Sequence, residues 1–462
     1  MSQGAAPQSV NYANTLPLAI TASQNRRSFY PQNGQAFTDT GSNIIRIDVQ
    51  ADGLLDAQQS YLEFTFTGKS DGAGALGSGP RSIDQGHAWI KRLTIESAGV
   101  ILEDINNYNR LVAGILQPVQ GSAAYCGEMG LSQFANSQMG TSAANEPPSD
   151  GFQNALPDVA NNPQDINNGS NILAANGSFT GQYHLVCGLL NLDKYIPLVL
   201  MGQGITIQIE LDNGANIGTV TNTGLNKYEI SNVKYVSHIV EMGRDFYDML
   251  RNLQAQSGGS LMLGGSTFRH FTHAMAAGAV GSSESINITA RVRSLENLLW
   301  VGNLTANLND DTVYTLSTGT NMGLSDGTAT GSYNVFIGAE RYPSNKVSVN
   351  AISNKGEAYQ ELRKCFGALG SINHGGLLNP STYLANVDGN ISEDTPGYAP
   401  LGISFRSFRH ELEDGIDTSS RALPVRLDLQ GTSADGATTL DIYAHATILF
   451  YVNMDGSVTS SV

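Results

Sequence analysis

The chain has 462 residues, enough for two or more domains of roughly 100–200 residues each. Only 14% of the residues are charged and 51 are glycine, which is typical of strands joined by long polar loops and argues against a helical bundle. The formal net charge of −16 disfavours a protein that grips a phosphate backbone, so we expect no specific nucleic-acid binding.

The three cysteines, Cys126, Cys187 and Cys365, are widely separated and odd in number. They have neither the spacing of a zinc site nor that of a disulfide framework, so we expect no metal and no cofactor. The first residues have no basic or apolar signal region, so we expect a chain that is not secreted by a signal peptide. No apolar run approaches the roughly 20 residues of a membrane span.

The predicted elements begin with a polar, aperiodic stretch, residues 1–40, which we interpret as an N-terminal arm. A first β domain follows over residues 41–240. Apolar residues alternate with polar ones in its opening strands, as in Ile45, Ile47 and Val49, which indicates sheets with one wet face. Two strands then flank a hairpin turn at 97–99. A further strand is indicated by the alternation of Leu62, Phe64 and Phe66. A short helix follows the hairpin, with Tyr108, Leu111, Val112 and Ile115 on one face, and then a polar insertion at about 117–180. Strands near Tyr183 and at 205–211 complete the domain.

A linker helix is predicted at 241–257, from the apolar spacing of Met242, Phe246, Leu250 and Leu253 and the stop signal Gly258-Gly259. We expect this helix to pack between the two domains. A second β domain follows over residues 258–462, with a polar insertion at about 303–335. Within it, a helix bears Tyr359, Leu362 and Phe366, and the last strand alternates from Ile442 to Val452.

The strand pattern of the first half recurs in the second, in the same order. Three pairs of segments carry this echo, and they are 205–214 with 423–431, 90–97 with 290–297, and 227–242 with 440–454. The repetition predicts two copies of one β domain. Many short strands with long insertions favour an eight-stranded jelly roll for each copy.

Candidate catalytic residues are few, and each has a simpler interpretation. The segment Gly323 to Gly327 matches a nucleophile elbow but lacks the flanking strand and helix that expose the serine. On a strand, His270 and His273 point to opposite faces and cannot share a metal ion. His184, His374 and His410 have no Cys or acidic pair at metal-ligand spacing. We therefore predict no catalytic, cofactor-binding or metal-binding residues, and no enzyme activity.

Two acidic clusters could in principle supply paired carboxylates for glycan cleavage, and they are Glu103-Asp104 and Glu411, Glu413 and Asp414. We interpret both as solvated surface or a subunit contact. Trp89 and Trp300 both lie at strand signals, and we interpret them as core or inter-domain packing rather than as platforms for sugars.

The chain resembles the double jelly-roll major capsid proteins, and within them those of polinton-like viruses and virophages. The resemblance runs over about residues 40–455 and rests on segments in a shared order, among them 44–66, 90–97 with 103–111, and 188–198 leading into 205–211. In the second half, 291–294, 358–362, 415–418 and the final strand are also similar. The insertions at 117–180 and 303–335 depart from the pattern.

The resemblance implies an all-β chain of two tandem jelly rolls that acts as a major capsid protein in the virion. It implies a homotrimer with a pseudo-hexagonal outline, contacts with neighbouring capsomers and with penton and minor capsid proteins, and an icosahedral shell around the genome of a DNA virus. It leaves open whether a membrane lies beneath the shell. From the residues alone, a carbohydrate-binding β protein and a fibre or adhesin subunit remain alternatives.

Overall fold

The computed structural model describes the strands from which both domains are built. The described residues are 22–69, 87–120, 164–165, 172–173, 178–217, 227–276, 282–309, 331–349, 355–367, 378, 383–384, 399–408, 413–432 and 437–462.

The first half of the chain folds into two antiparallel sheets. Its strands are β1 (Ala22–Phe29), β2 (Ala36–Thr38), β3 (Ile44–Val49), β4 (Leu54–Lys69), β5 (Ile90–Ser97), β6 (Val100–Asn106), β7 (Gln164–Asp165), β8 (Ile172–Leu173), β9 (Ser178–Tyr183), β10 (Ile205–Leu211) and β11 (Lys227–Met242). One sheet has the order β1-β11-β4-β9, with β2 also paired to β11, and the other has the order β3-β10-β5-β6. The pair β7 and β8 forms a separate two-stranded sheet.

The second half repeats this plan. Its strands are β12 (Ser260–Met275), β13 (Ser282–Ile288), β14 (Leu295–Leu304), β15 (Gly331–Ile337), β16 (Glu340–Val349), β17 (Leu401–Ser404), β18 (Val425–Thr432), β19 (Thr438–Asn453) and β20 (Val458–Ser461). One sheet has the order β12-β19-β14-β17, with β20 also paired to β19, and the other has the order β13-β18-β15-β16. Two facing four-stranded paths with these crossovers make each half an eight-stranded jelly roll, which confirms the predicted fold class.

Within the described residues, helices are few and short. They are Tyr108–Leu111, a π turn at Val112–Leu116, Gln117–Gln120, Gly214–Ile217, the junction helix Arg244–Gln256 and Gly356–Cys365, with 3₁₀ turns at Leu198–Leu200 and Thr305–Asn307.

The alternation read from the sequence predicts the inner faces correctly. Ile45, Ile47 and Val49 are buried while their neighbours on β3 are more exposed, because successive side chains of a strand point to opposite faces. Both tryptophans are fully buried, and each ring lies about 5 Å from another core ring, Trp89 beside Phe64 and Trp300 beside Tyr333. The interpretation of both as core residues is confirmed.

Two of the three sequence echoes correspond to equivalent strands. β10 and β18 hold the same place in their sheets, next to β3 and β13, and β11 and β19 hold the same place next to β1 and β12. The third echo is wrong. By topology β5 corresponds to β15, whereas 290–297 leads into β14, which lies in the other sheet. Alternating apolar residues are common to all these strands, so the similarity of the two segments carries no positional information.

The predicted arm at 1–40 is wrong for part of its length. Residues 1–21 lie outside the described residues, but β1 and β2 pair with β11, and β1 does so through eight consecutive residues. β1 completes the first jelly roll as an edge strand. Its side chains are exposed from Ala22 to Ser28, so no apolar alternation announces it. Backbone pairing with β11 holds it, together with polar side-chain contacts such as that of Arg27 with Glu241 at 2.6 Å.

The linker helix is shorter than predicted, because β11 continues to Met242 and the helix begins at Arg244. It ends before Gly258 and Gly259, both at positive φ, as the stop signal predicts. Its burial differs from our expectation. Met249 and Leu253 are at least half exposed, and only Gln254 is buried, so the helix lies on the surface rather than between the two domains.

The insertions are narrower than predicted where their ends can be seen. The helical segment continues to Gln120, β9 begins at Ser178, β14 continues to Leu304 and β15 begins at Gly331. The remainder of both insertions lies outside the described residues, apart from the short pair β7 and β8 and residues 305–309.

Candidate structural site at the junction of the two jelly rolls

The helical segment 108–120 lies between the two jelly rolls. The sequence predicts one apolar face, but Tyr108 to Val119 are all buried, and the π turn contacts β14 of the second jelly roll. Every residue of β14 from Leu295 to Asn303 is buried too. A strand buried on both faces packs against its own core on one side and against another layer on the other. The junction is therefore an extension of the two cores.

Glu103 of β6 is a carboxylate inside this junction. Its side chain accepts hydrogen bonds from the backbone N–H of Gly188 at 2.7 Å, from that of Leu189 at 3.1 Å, and from the hydroxyl of Thr267 on β12. Burial raises the pKa of Glu103, and these three donors partly offset that effect. Our interpretation of Glu103 as surface or subunit contact is wrong. Its neighbour Asp104 points the other way and pairs with Arg92 at 2.7 Å.

Asp441 of β19 is the second buried carboxylate of the junction. It accepts a hydrogen bond from His270 Nε2 at 2.7 Å and one from the side-chain amide of Asn107 at 2.9 Å, and Arg110 Nε lies 3.3 Å away. Burial alone would raise the pKa of Asp441. The hydrogen bond from His270 and the charge of Arg110 outweigh burial and hold the pKa below its ordinary value.

Asn107 shows how the first jelly roll presents these groups. It follows the last residue of β6 in a left-handed conformation, with φ at 47°, which asparagine tolerates better than most residues. There its backbone carbonyl accepts a 2.8 Å hydrogen bond from the hydroxyl of Tyr443, while its amide reaches Asp441. His270, Asp441 and Tyr443 share one face of the β12-β19 pair, since His270 lies opposite Tyr443 in the register.

Two glycines allow the backbones of the two jelly rolls to approach closely. A Cβ atom on Gly188 would lie 2.8 Å from the carbonyl oxygen of Ser266, and one on Gly265 would lie 3.0 Å from that of Gly188. Gly202 N–H donates to the carbonyl oxygen of Gly456 at 2.9 Å, and the hydroxyl of Ser460 donates to that of Leu102 at 2.8 Å. The close approaches at Gly188 and Gly265 leave no room for a side chain at either of these two positions.

A separate polar cluster lies within the second jelly roll. Glu296 accepts hydrogen bonds from Arg406 and from the hydroxyl of Thr447, and His445 Nδ1 lies 3.3 Å from it. Burial lowers the pKa of His445 to about 4. Arg406 Nε also lies 3.7 Å from Asp414, whose carboxylate is fully buried. The expectation that the second acidic cluster is solvated is therefore wrong for Asp414, whereas Glu413 is exposed and Glu411 lies outside the described residues.

The structure describes three of the candidate histidines, His184, His270 and His273. His270 and His273 both lie on β12 but have different partners, Asp441 and Glu284. His184 hydrogen-bonds Ser60 and Asn191. The segment Gly323 to Gly327 lies outside the described residues, as do three further residues, His374, His410 and Cys126.

Within the described part of the chain, no group of three His, Cys, Asp or Glu side chains is placed to hold a metal ion. Among the same residues, every helix is too short or too polar to cross a membrane. Cys187 and Cys365 are free thiols in the two cores.

Sequence reasoning missed the residues that join the jelly rolls across the junction, namely Arg110, Thr267, Asp441 and Tyr443. One signal was available. Asp441 is a charge inside an otherwise apolar strand, and such a residue is seldom buried without partners. The partners of Asp441 in the first jelly roll, Asn107 and Arg110, lie more than 300 positions away in the sequence, and a strand pattern does not connect such distant segments.

No protein-family model matches the chain, and no curated protein sequence does either. Solved structures do match along nearly its whole length. The PBCV-1 virus capsid is similar at 12% identity, over 98% of this chain and 99% of that one, with a TM-score of 0.58. The Sputnik virophage structure is similar at 12% identity over 100% and 93%, with a TM-score of 0.54. The major capsid protein of mavirus is similar at 9% identity over 100% and 96%, with a TM-score of 0.51. The chain therefore has the fold that its sequence resemblance predicts, the double jelly roll of these viral capsid proteins.

Proposed function

We propose that this chain is a major capsid protein, a structural component of a virion. The observation that carries the proposal is the end-to-end correspondence with capsid structures, in which both jelly rolls and the connection between them are matched. A shared single domain would support the fold of that domain only. Two jelly rolls in one chain, packed through a continuous core, make a stiff wall, and stiffness is the property that a shell requires.

The assembly unit that we propose is a homotrimer. Each chain contributes two similar jelly rolls, so three chains bring six around a threefold axis and give the tile a pseudo-hexagonal outline. Such tiles would contact neighbouring capsomers and, where the lattice is interrupted, penton and minor capsid proteins of the shell. A permanent interface of this kind buries about 2,000 Å² or more for each pair of subunits.

The described surface offers apolar contacts for assembly. Met249 and Leu253 of the junction helix, Met262 of β12 and Met454 after β19 are each at least half exposed. The Met454 N–H donates to the carbonyl oxygen of Gly259, so the segment after β19 lies beside the end of the junction helix. Contiguous exposed apolar residues are typical of surfaces that become covered.

The test is to express the full chain and measure its mass by size-exclusion chromatography with light scattering. We expect a species three times the 49.0 kDa chain mass, and hexagonal particles or shells in negative-stain electron microscopy. A monodisperse monomer at micromolar concentration would contradict the trimer. Elongated fibres would instead favour an adhesin or fibre subunit and overturn the capsid proposal.

A further inference from the structure

We propose that Glu103 and Asp441 are positioning residues, which set the register and the angle at which the two jelly rolls pack against each other. The two carboxylates form reciprocal contacts across the junction. Glu103 belongs to the first jelly roll and binds Thr267 of the second, whereas Asp441 belongs to the second and binds Asn107 and Arg110 of the first.

The apolar part of the junction provides stability without direction. Its apolar side chains gain from any arrangement that removes them from water, since the hydrophobic effect is non-directional. A buried carboxylate loses hydration and regains it only where its donors are correctly placed. Replacing buried ionic groups by apolar ones often leaves stability unchanged, so stability alone does not account for two of them here.

Each carboxylate is held rigid by its own jelly roll before it meets the other. The backbone N–H groups of Gly188 and Leu189 hold Glu103, and His270 holds Asp441 from the adjacent strand. Each contact across the junction therefore has a defined position. Tyr443, whose hydroxyl donates to the carbonyl oxygen of Asn107, reinforces the second contact.

The separation of the two contacts makes them effective against rotation. Glu103 and Asn107 are four residues apart, which corresponds to roughly 13 Å at the rise of a β-strand. A rotation of about 10° around one contact would displace the other by about 2 Å, enough to break its hydrogen bonds. One contact alone would permit that rotation, whereas two contacts prevent it. Sliding is blocked at the same time by the close approach of Gly188 to Ser266.

The test measures the distribution of distances between the jelly rolls, in the full-length chain. Spin labels are placed at two exposed positions, one on each jelly roll, through Gln59→Cys and Asn287→Cys with Cys126→Ser. Pulsed electron–electron double resonance is recorded on samples diluted with unlabelled chain, so that distances between the two labels of one chain dominate. Thr267→Val removes the hydroxyl that binds Glu103 with almost no change in volume. Asp441→Asn weakens the second contact, and Tyr443→Phe is the milder variant if Asp441→Asn does not fold.

We expect Thr267→Val to broaden the distribution and its combination with Asp441→Asn or Tyr443→Phe to at least double its width. Thr267→Ser, which keeps the hydroxyl, should retain the wild-type width. Leu427→Ala is the control for stability alone, because Leu427 is buried in the second core on β18. Leu427→Ala should lower the unfolding temperature without broadening the distribution of distances between the spin labels. An unchanged width in the combined variant, or equal broadening by Leu427→Ala, would overturn the inference.

If the two residues fix the angle between the jelly rolls, they also fix the shape of a capsid tile, and this consequence rests on the proposed function. Their role in positioning the two jelly rolls within one chain does not. Distances are measured within single chains, so failure of the chain to form trimers would leave this result interpretable. Narrow distributions in every variant would, in turn, refute the positioning role and leave the capsid proposal standing.

Discussion

The hydroxyl of Tyr443 donates a 2.8 Å hydrogen bond to the backbone carbonyl oxygen of Asn107, which joins residues 336 positions apart. The bond crosses from the second jelly roll to the first, and the Tyr443 side chain that donates it is fully buried. Tyr443→Phe would leave that carbonyl without this donor, so we expect a loss of about 1–3 kcal/mol in the free energy of unfolding. Chemical denaturation measures it. Tyr451→Phe is the matched control, because the Tyr451 hydroxyl has no hydrogen-bond partner among the described residues. Equal losses in the two variants would contradict the prediction.

The close approach at Gly188 predicts a second effect. In Gly188→Ala the new methyl group would lie 2.8 Å from the Ser266 carbonyl oxygen and 2.9 Å from Ile448 Cγ2, so the jelly rolls must move apart. We expect a destabilisation of about 1–3 kcal/mol, as for other overpacked cores. Gly356→Ala is the control. It opens a helix and has no atom within 4 Å of a new Cβ, so its unfolding temperature should stay the same or rise.

Acid should destabilise the fold through two buried histidines. Burial lowers the pKa of His87 to about 3 and that of His445 to about 4, whereas both return to about 6.5 on unfolding. The unfolded chain therefore binds more protons below pH 6.5, and stability that is fully present above that pH is lost as the pH falls towards 4 and then 3. The shift of His445 corresponds to on the order of 3 kcal/mol over its range. Asp441, with its lowered pKa, adds a further loss below its ordinary value near 3.8.

Unfolding free energies measured from pH 7.5 to 4.5 check this prediction. His445→Gln should flatten the decline, since the titrating group is gone. Tyr443→Phe also destabilises the fold, at the junction, but removes no group that titrates in this range, so it should keep the wild-type slope. An identical slope in wild type and His445→Gln would mean that His445 does not titrate on unfolding in this way.

Substitutions at two adjacent residues of the junction helix should change the free energy of unfolding by different amounts. Leu253 is half exposed, so Leu253→Glu should change the free energy of unfolding by no more than about 0.5 kcal/mol. Gln254 is buried and its amide donates to the carbonyl oxygen of Val452 at 2.8 Å. Gln254→Leu should therefore cost about 1–3 kcal/mol by leaving that carbonyl unpaired. Thermal and denaturant unfolding of the pair distinguish a surface helix from one buried between domains, for which Leu253→Glu would be the more damaging change.

The sequence predicts those parts of the fold in which the inner and outer faces of a strand differ. β3 and β10 alternate because one of their faces meets a core, and their apolar residues are buried as expected. The apolar residues of β19 are also buried, but most of the polar residues between them are buried too. β1 has no such contrast, since both of its faces are exposed, and it was missed. The apolar spacing of the junction helix predicts a buried face, but part of that face is exposed to solvent.

The candidate site was predicted least well, for a physical reason. Glu103 and Asp104 are neighbours with the same charge, but one points into the junction and the other towards Arg92. Which of them is buried depends on how the second jelly roll docks, and the donors that make burial tolerable come from distant segments. A single strand pattern does not contain that information.

The position of the junction helix separates two roles that a linker usually combines. The covalent connection runs over the outside, whereas the packing surface between the jelly rolls lies elsewhere, in the helical segment 108–120 and the strands it contacts. A chain cleaved within the helix would still have its entire packing surface. Such a protein should behave as a tight complex of two polypeptides, so one gene or two could encode the same wall.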